Sequence, residues 1–199
     1  GGKSFNKVGE FYKHSDNHAL AFDGSNPEYL IAGCDGGLYE SFDRGKTWKY
    51  FANLPVTQFY KLALDNAFPF YNITGGTQDN GSQMGPSRTL NMNGIMNSDW
   101  FFTLGADGYA CAIDPQNPNI IYAEWQTGCL CRYDRKTGED VNIQPKSLPS
   151  EPVDRWNWDS PIIVSPHSHT RLYFGSQRLY RSDDRGDSWT AISPDLSRG

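Results

Sequence analysis

The sequence of 199 residues lacks the features of several protein classes. No apolar run approaches the roughly 18 residues that a membrane-spanning helix needs, so we expect no membrane insertion. Lysine and arginine number 18 against 23 aspartates and glutamates, for a net charge of −5, and this gives no electrostatic basis for binding nucleic acid. Alanine, leucine, glutamate and lysine are too sparse for a helical bundle. The sequence begins Gly1-Gly2-Lys3-Ser4, without methionine, so we expect a processed chain or part of a longer one.

Cysteine is also scarce, and its spacing excludes the common zinc motifs. The four cysteines are Cys34, Cys111, Cys129 and Cys131, and no pair has C-x-x-C spacing. Cys129 and Cys131 are two residues apart and would face the same side of a strand. Buried free thiols are the simplest interpretation, and the sequence leaves a disulfide open. We expect no metal site and no cofactor.

Glycine, proline and aromatic residues are abundant instead. Twenty glycines and 12 prolines supply turns, and 11 Phe, 11 Tyr and 6 Trp supply large apolar rings. Disordered chains are poor in aromatic residues, and frequent turns between aromatic-rich segments are typical of short strands. The composition therefore predicts an ordered, all-β protein.

An eight-residue motif occurs twice in the chain. Residues 41–48 read SFDRGKTW and residues 182–189 read SDDRGDSW, so both follow the pattern S-x-D-R-G-x-[S/T]-W. The aspartate can accept the backbone N–H two residues on, the glycine can adopt a positive φ, and the tryptophan can anchor the next strand. We interpret the motif as a structural turn and not as an active site. Its ten defining residues are Ser41, Asp43, Gly45, Thr47 and Trp48 in the first copy, and Ser182, Asp184, Gly186, Ser188 and Trp189 in the second.

A longer repeat surrounds this motif. An apolar strand, a tight turn and a second apolar strand recur four times, around Asp23, Asp65, Asp114 and Ser165, which are spaced 42, 49 and 51 residues apart. Such periods are typical of propeller blades with four strands each. We expect all-β architecture with four blades, at about 14–56, 57–104, 105–147 and 156–196. Because four blades do not close a ring, we expect a segment of a larger β-propeller, of seven or more blades in one ring or two. The remaining blades would belong to the same polypeptide or to a second chain.

The motif resembles the Asp-box, or BNR repeat, of sialidases, two-propeller xyloglucanases and sortilin/VPS10 propellers. The surrounding sequence is most similar to a bacterial group described as sortilin/VPS10-like or as BNR-repeat glycosyl hydrolases. This likeness includes the segments 14–20 (HSDNHAL), 35–41 (DGGLYES) and 75–82 (GGTQDNGS). The resemblance implies a β-propeller in an extracellular, periplasmic or cell-envelope protein. It also implies that ligands bind at the mouth of the central channel, away from the turn motifs.

Two blades depart from the motif. The second has an insert rich in glycine, serine, asparagine and methionine, which we expect to run from Asn80 to Asp99. Long loops in compact domains are usually functional or disordered. The third blade has YDRKTG at 133–138 in place of the motif, and this segment predicts an ordinary hairpin turn.

Polar loops outside the turn motif supply the candidate site residues. Asp79 lies in the loop 77–81 and Asp107 in the loop 105–109. Since a glycosidase needs two carboxylates flanking the sugar, these two aspartates are the candidate catalytic pair. The alternative for the first loop is an Asn-Gly turn with a capping aspartate. The candidate ligand-binding residues are Gln78, Asn80, Asp16, His18 and Trp125.

Several of these residues also fit a purely structural role. Asp16 and His18 could bind a divalent metal or another ligand, but the sequence favours a polar loop before an inner strand. Trp125 either stacks on a sugar or packs between blades. We expect His167 and His169 to face solvent. A sialidase would need an arginine triad for the ligand carboxylate, but nothing in the sequence marks three arginines as a set. The candidates are Arg88, Arg132, Arg155 and Arg178, whereas Arg44 and Arg185 are expected at the surface.

Two functions remain open on the sequence alone. The first is a binding or scaffolding propeller that holds a peptide, protein or glycan ligand in its channel. The second is a glycoside hydrolase of the Asp-box type that acts on a polysaccharide or glycoconjugate. The distance between the Asp79 and Asp107 carboxyl groups, and their access to an open cleft, would distinguish the two.

Overall fold

The computed structural model describes residues 2–9, 11–54, 56–147 and 149–197. Sixteen strands and two short 3-10 helices form the regular structure of these ranges, as the turn-rich composition predicts. The strands are β1 Asn17–Phe22, β2 Leu30–Cys34, β3 Gly37–Ser41, β4 Lys49–Tyr50, β5 Lys61–Leu64, β6 Asn72–Thr77, β7 Gly81–Pro86, β8 Phe101–Leu104, β9 Cys111–Ile113, β10 Ile120–Trp125, β11 Cys129–Asp134, β12 Glu139–Asn142, β13 Ile162–Val164, β14 Leu172–Gly175, β15 Leu179–Ser182 and β16 Thr190–Ala191. The 3-10 helices are Asn97–Asp99 and Gln126–Gly128.

The strands form four separate sheets of four strands each. Strands β1–β4, β5–β8, β9–β12 and β13–β16 follow one another within their sheets in chain order, and every pairing is antiparallel. A four-stranded antiparallel meander is the unit of a β-propeller. The prediction of an all-β fold, a β-propeller segment of about four blades, is therefore confirmed. We number the sheets blade 1 to blade 4.

The chain divides into two compact units, 1–57 and 58–199. Unit 1 contains blade 1, whose small core consists of Leu30, Ala32 and Trp48 with Tyr39 packed against them. Alternate residues of β2 point into this core, as the period of a strand requires.

Unit 2 contains blades 2, 3 and 4. Strand β9 of blade 3 contacts both β5 of blade 2 and β13 of blade 4, so the first strands of the three blades are neighbours. Apolar clusters fill the space between successive sheets. Met84, Ile113 and Ile121 join blade 2 to blade 3, and a larger cluster around Tyr122 and Phe174 joins blade 3 to blade 4.

The prediction that the insert of blade 2 starts at Asn80 is wrong. Residues Gly81–Pro86 form strand β7, which pairs with β6 and β8, so the long loop begins only at residue 87. Glycine is rare in strands because it has no side chain to pack, but here close packing requires it. A Cβ on Gly76 would lie 2.2 Å from the carbonyl carbon of Gly108, and a Cβ on Gly85 would lie 2.4 Å from the Trp100 ring.

All four cysteines are free thiols. Cys129 and Cys131 are buried on β11, at alternate positions of the strand. Burial raises the pKa of Cys111 to about 11 and that of Cys131 to about 12. These thiols therefore remain protonated and unreactive at neutral pH.

The described part of the chain contains no helix with the length and apolar character that crossing a membrane requires.

Candidate functional site

The two copies of the turn motif adopt the same hydrogen-bonded turn. The carboxylate of Asp43 accepts the backbone N–H of Lys46 at 3.0 Å and that of Thr47 at 2.9 Å, and the Thr47 hydroxyl at 2.7 Å. The carboxylate of Asp184 likewise accepts the backbone N–H and hydroxyl of Ser188. The aspartate of the motif thus accepts N–H groups three and four residues after it. The prediction that it accepts the N–H two residues after it is wrong.

A serine hydroxyl explains this difference. The Ser41 Oγ accepts the N–H of Gly45 at 2.8 Å and donates to the Asp43 carboxylate, and Ser182 makes the equivalent bonds in blade 4. The serine hydroxyl therefore accepts the N–H groups in the first half of the turn. The aspartate carboxylate accepts those in the second half. Hydrogen bonds from Thr47 lower the pKa of Asp43 to about 2.

The glycine and tryptophan of each motif also have definable roles. Gly45 and Gly186 adopt positive φ values of +80° and +92°. Trp48 is buried and donates its Nε1–H to the Gly9 carbonyl at 2.8 Å. Trp189 donates to the Ile143 carbonyl at 2.7 Å and is half-buried. Its ring lies at the edge of the cluster that joins blades 3 and 4, against Phe174.

Arg185 and His169 are not the surface residues that the sequence suggested. The Arg185 Nε donates to Asp114 Oδ2 at 3.0 Å, and His169 Nδ1 lies 3.0 Å from the same carboxylate. Asp114 is fully buried between blades 3 and 4. Burial raises its pKa, but the bonds from His169, the backbone of Gln116, and Arg185 outweigh this and lower it overall. Arg185 therefore links two blades. Arg44, in contrast, is exposed, and its guanidinium lies 3.3 Å from the carboxylate of Glu28, which is exposed as well.

The loops of the candidate catalytic pair meet at the junction of blades 2 and 3. The Gly81 N–H donates to the Ala106 carbonyl at 2.9 Å, and the Gly108 N–H donates to the Thr77 carbonyl at 3.0 Å. Asp107 is buried. Its Oδ1 accepts the backbone N–H of Asp79 at 2.6 Å, and its Oδ2 accepts the Gln126 amide. Asp107 thus holds the turn that carries Asp79, whose carboxylate is exposed.

The other candidate ligand-binding residues lie in different places. Gln78 and Asn80 are exposed in the same turn as Asp79, and Gln78 accepts the Tyr60 hydroxyl. Trp125 ends β10 half-buried, against the cluster that contains Cys129. In unit 1, Asp16 and His18 are exposed, and the His18 Nε2 lies 2.5 Å from Asp35.

The arginines considered for a carboxylate-binding triad are mostly paired with acidic residues. Arg132 lies 2.8 Å from Asp187, and Arg155 lies 2.8 Å from Asp195. Arg178 contacts Asp154, which is itself buried. These three guanidinium groups therefore already have carboxylate partners within the chain.

A polar cluster that the sequence analysis missed lies where blades 2, 3 and 4 converge. Lys61, the first residue of β5, forms an ion pair with Asp159, just before β13, at 2.7 Å. Glu124, on β10 of blade 3, is fully buried and its Oε1 accepts the backbone N–H of Ser160 at 2.6 Å. We name Lys61, Glu124 and Asp159 the convergent cluster. The available signal was a glutamate inside the apolar segment IIYAEW of 120–125.

Two oxygens of the convergent cluster are buried without a hydrogen-bond partner among the described residues. They are Glu124 Oε2 and Asp159 Oδ1. Burial raises the pKa of Glu124 to about 8; the Ser160 N–H and Lys61 act against this shift, and Asp159 adds to it. At neutral pH Glu124 is therefore mainly a carboxylic acid, beside an ion pair that is itself partly exposed.

Two tyrosines border the convergent cluster. The rings of Tyr60 and Tyr109 stack with centroids 4.5 Å apart and planes 8° from parallel. The Lys61 ammonium lies 6.0 Å from the Tyr109 ring centroid. Tyr60 is exposed over about 39% of its surface. The arrangement thus offers charge, hydrogen-bonding groups and an aromatic surface at one place, the combination that small-ligand sites use.

No protein-family model and no curated protein sequence matches the chain. Similar solved structures include an auxiliary nutrient-binding protein of Bacteroides thetaiotaomicron, with 15% identity and a TM-score of 0.45 over 92% of this chain and 43% of that one. Apo AztD of Citrobacter koseri has 14% identity and a TM-score of 0.44 over 88% of this chain and 46% of that one. The extracellular domain of a putative one-component system of B. thetaiotaomicron has 14% identity and a TM-score of 0.45, over 88% of this chain and 22% of that one.

The chain spans less than half the length of each of these proteins. All of these TM-scores lie below 0.5, so the assignment of the chain to the β-propeller class depends on its own four sheets.

Proposed function

We propose that this chain is a ligand-binding segment of a β-propeller and that the convergent cluster is its binding site. The observation that carries the proposal is the 2.7 Å ion pair between Lys61 of blade 2 and Asp159, beside the buried Glu124 of blade 3. Three blades thus contribute charged groups to one place. A buried carboxylic acid has a desolvation cost that a purely structural core would avoid, and such groups concentrate at functional sites.

Binding is better supported than hydrolysis. Both oxygens of Asp107 already accept hydrogen bonds from its own neighbourhood, which suits a residue that holds a turn. The hydrolase alternative, with Asp79 and Asp107 as acid and base, remains a prediction. The sortilin/VPS10-like resemblance of the turn motifs agrees with a peptide, protein or glycan ligand.

The proposal extends to the setting of the protein. We propose that the remaining blades, in the same polypeptide or a second chain, complete the propeller around this segment. We also propose an extracellular, periplasmic or cell-envelope location, on the basis of the same resemblance.

The test is a comparison of binding between two matched lysine variants. The intact chain is screened on glycan and peptide arrays, and each ligand found is titrated by calorimetry. Lys61→Met removes the ammonium of the convergent cluster, and Lys136→Met removes an exposed one in the 135–138 turn. We expect Lys61→Met to weaken binding about tenfold or more, since it removes a charged hydrogen-bond donor, and Lys136→Met to bind as wild type does. Equal affinities of both variants would exclude the convergent cluster as the site.

A further inference from the structure

We propose that the convergent cluster, with the Tyr109 ring beside it, is a subsite for a ligand ammonium group. A lysine side chain, a peptide N-terminus or a small amine would supply this group. The inference rests on the proposed ligand-binding function and names the chemistry of the same site.

Asp159 Oδ1 is an acceptor, and Glu124 Oε2 becomes one when Glu124 is ionised. Glu124 Oε2 and Asp159 Oδ1 are buried and have no donor among the described residues. A buried acceptor without a donor destabilises the folded protein. An ammonium has three N–H donors, whereas a hydroxyl has one, so one ammonium has enough donors for both oxygens. Ligand binding would then recover a cost already present in the folded protein.

The charges of the cluster leave room for a second cation once Glu124 is ionised. Two carboxyl groups face one ammonium, that of Lys61. Besides Lys61 and Asp159, the groups that act on Glu124 include the Ser160 and Ala110 N–H groups, and Glu124 itself acts on the neutral thiols of Cys111 and Cys129. None of these supplies a positive charge. With both carboxyl groups ionised, the cluster is one cation short, and this shortage agrees with a Glu124 that stays protonated at neutral pH.

The cluster already binds an ammonium of its own chain. The Lys61 Nζ lies 2.7 Å from Asp159 Oδ2 and 6.0 Å from the Tyr109 ring centroid. A carboxylate and an aromatic face together are a known means of ammonium recognition. The side chain of Lys61 is 52% exposed, so the ion pair can be reached from solvent.

The test uses three probes on the intact chain by calorimetry. They are Nα-acetyl-lysine methylamide, cadaverine, and Nα-acetyl-norleucine methylamide, which lacks the ammonium. We expect at least one amine to bind, and the norleucine compound to bind at least tenfold more weakly than the lysine compound or not at all. Tighter binding of the lysine compound than of cadaverine would indicate a peptide source, and the reverse a small amine. Equal and measurable binding of the lysine and norleucine compounds would overturn the proposal.

The proton balance provides a second readout in the wild-type protein. The ammonium favours the ionised form of Glu124, so binding at pH 7 should release close to one proton, and affinity should rise from pH 6 to pH 8. Titrations in buffers of different ionisation enthalpy measure this release. Binding without proton release, or affinity independent of pH, would contradict the role of Glu124.

Variants complete the test. Glu124→Gln should abolish the proton release and weaken binding about tenfold or more, whereas Glu139→Gln, at an exposed position of β12, should match wild type. Circular dichroism and melting establish that each variant is folded, and a misfolded Glu124→Gln leaves the wild-type proton balance as the deciding measurement. Glycan binding that depends on Lys61, without amine binding, would overturn the ammonium subsite and leave the proposed function standing. Absence of any ligand would overturn both.

Discussion

Replacing Trp189 by alanine tests whether the turn motif anchors its blade. Truncating a large aromatic residue in a core typically costs about 3–5 kcal/mol. Trp189 is half-buried, so we expect the lower end of this range, about 3 kcal/mol. Part of this loss, about 1 kcal/mol, comes from the hydrogen bond of its Nε1–H to the Ile143 carbonyl. Trp189→Phe should lose the contribution of this hydrogen bond and keep most of the contribution of ring packing.

The assay is urea unfolding followed by far-ultraviolet circular dichroism, because the substitution itself changes tryptophan fluorescence. Trp158→Ala is the matched control, since this tryptophan is 52% exposed and surface substitutions usually stay within about 0.5 kcal/mol. Trp48→Ala, at a buried position, should cost at least as much as Trp189→Ala. If Trp189→Ala unfolded at the same urea concentration as Trp158→Ala, with equal slopes, the anchoring role would be refuted.

Three further predictions concern the turns and the tight junction of blades 2 and 3. Ser182→Ala should cost about 1–2 kcal/mol in urea unfolding, because a buried hydroxyl that accepts backbone N–H groups is removed; no change would contradict the shared turn structure. Hydrogen bonds from Thr47 hold the pKa of Asp43 at about 2, below its ordinary 3.8. The ionised Asp43 carboxylate therefore stabilises the folded protein above about pH 4, and this stabilisation is lost as the pH falls through 2. Asp43→Asn should therefore flatten the dependence of melting temperature on pH in this window, and an unchanged slope would count against it. Gly76→Ala should lower the melting temperature far more than Gly105→Ala, because a Cβ at position 76 would meet backbone atoms of Gly108 and one at position 105 would meet none. Similar melting temperatures of the two variants would contradict the close contact between Gly76 and Gly108.

The sequence predicts the fold well because the turn motif is local. Its hydrogen bonds join residues within four positions of one another, so their pattern can be recognised in one segment. The repeat of about 40–50 residues then gives the number of blades. The error lies in β7, where composition favours a loop. Its glycines are required by Trp100 and by close backbone contacts, which are distant in sequence.

The candidate site was harder to predict for the same reason. Lys61 and Asp159 are 98 positions apart, and Glu124 lies on a strand between them in sequence. Nothing local indicates that these three residues meet. Asp79 and Asp107 do lie near each other, as the loops suggested, but through the backbone N–H of Asp79. Arg185 and His169 read as surface residues because their partner, Asp114, belongs to another blade.

The most direct measurement of the convergent cluster is the NMR titration of the Glu124 side-chain carboxyl carbon in 13C-labelled protein. Glu124→Gln assigns the resonance by its disappearance. If blades 2, 3 and 4 enclose this carboxyl group as described, its titration midpoint should lie at about 8. A midpoint near the ordinary value of 4.5 would mean that water or a cation already serves Glu124, and would contradict the site.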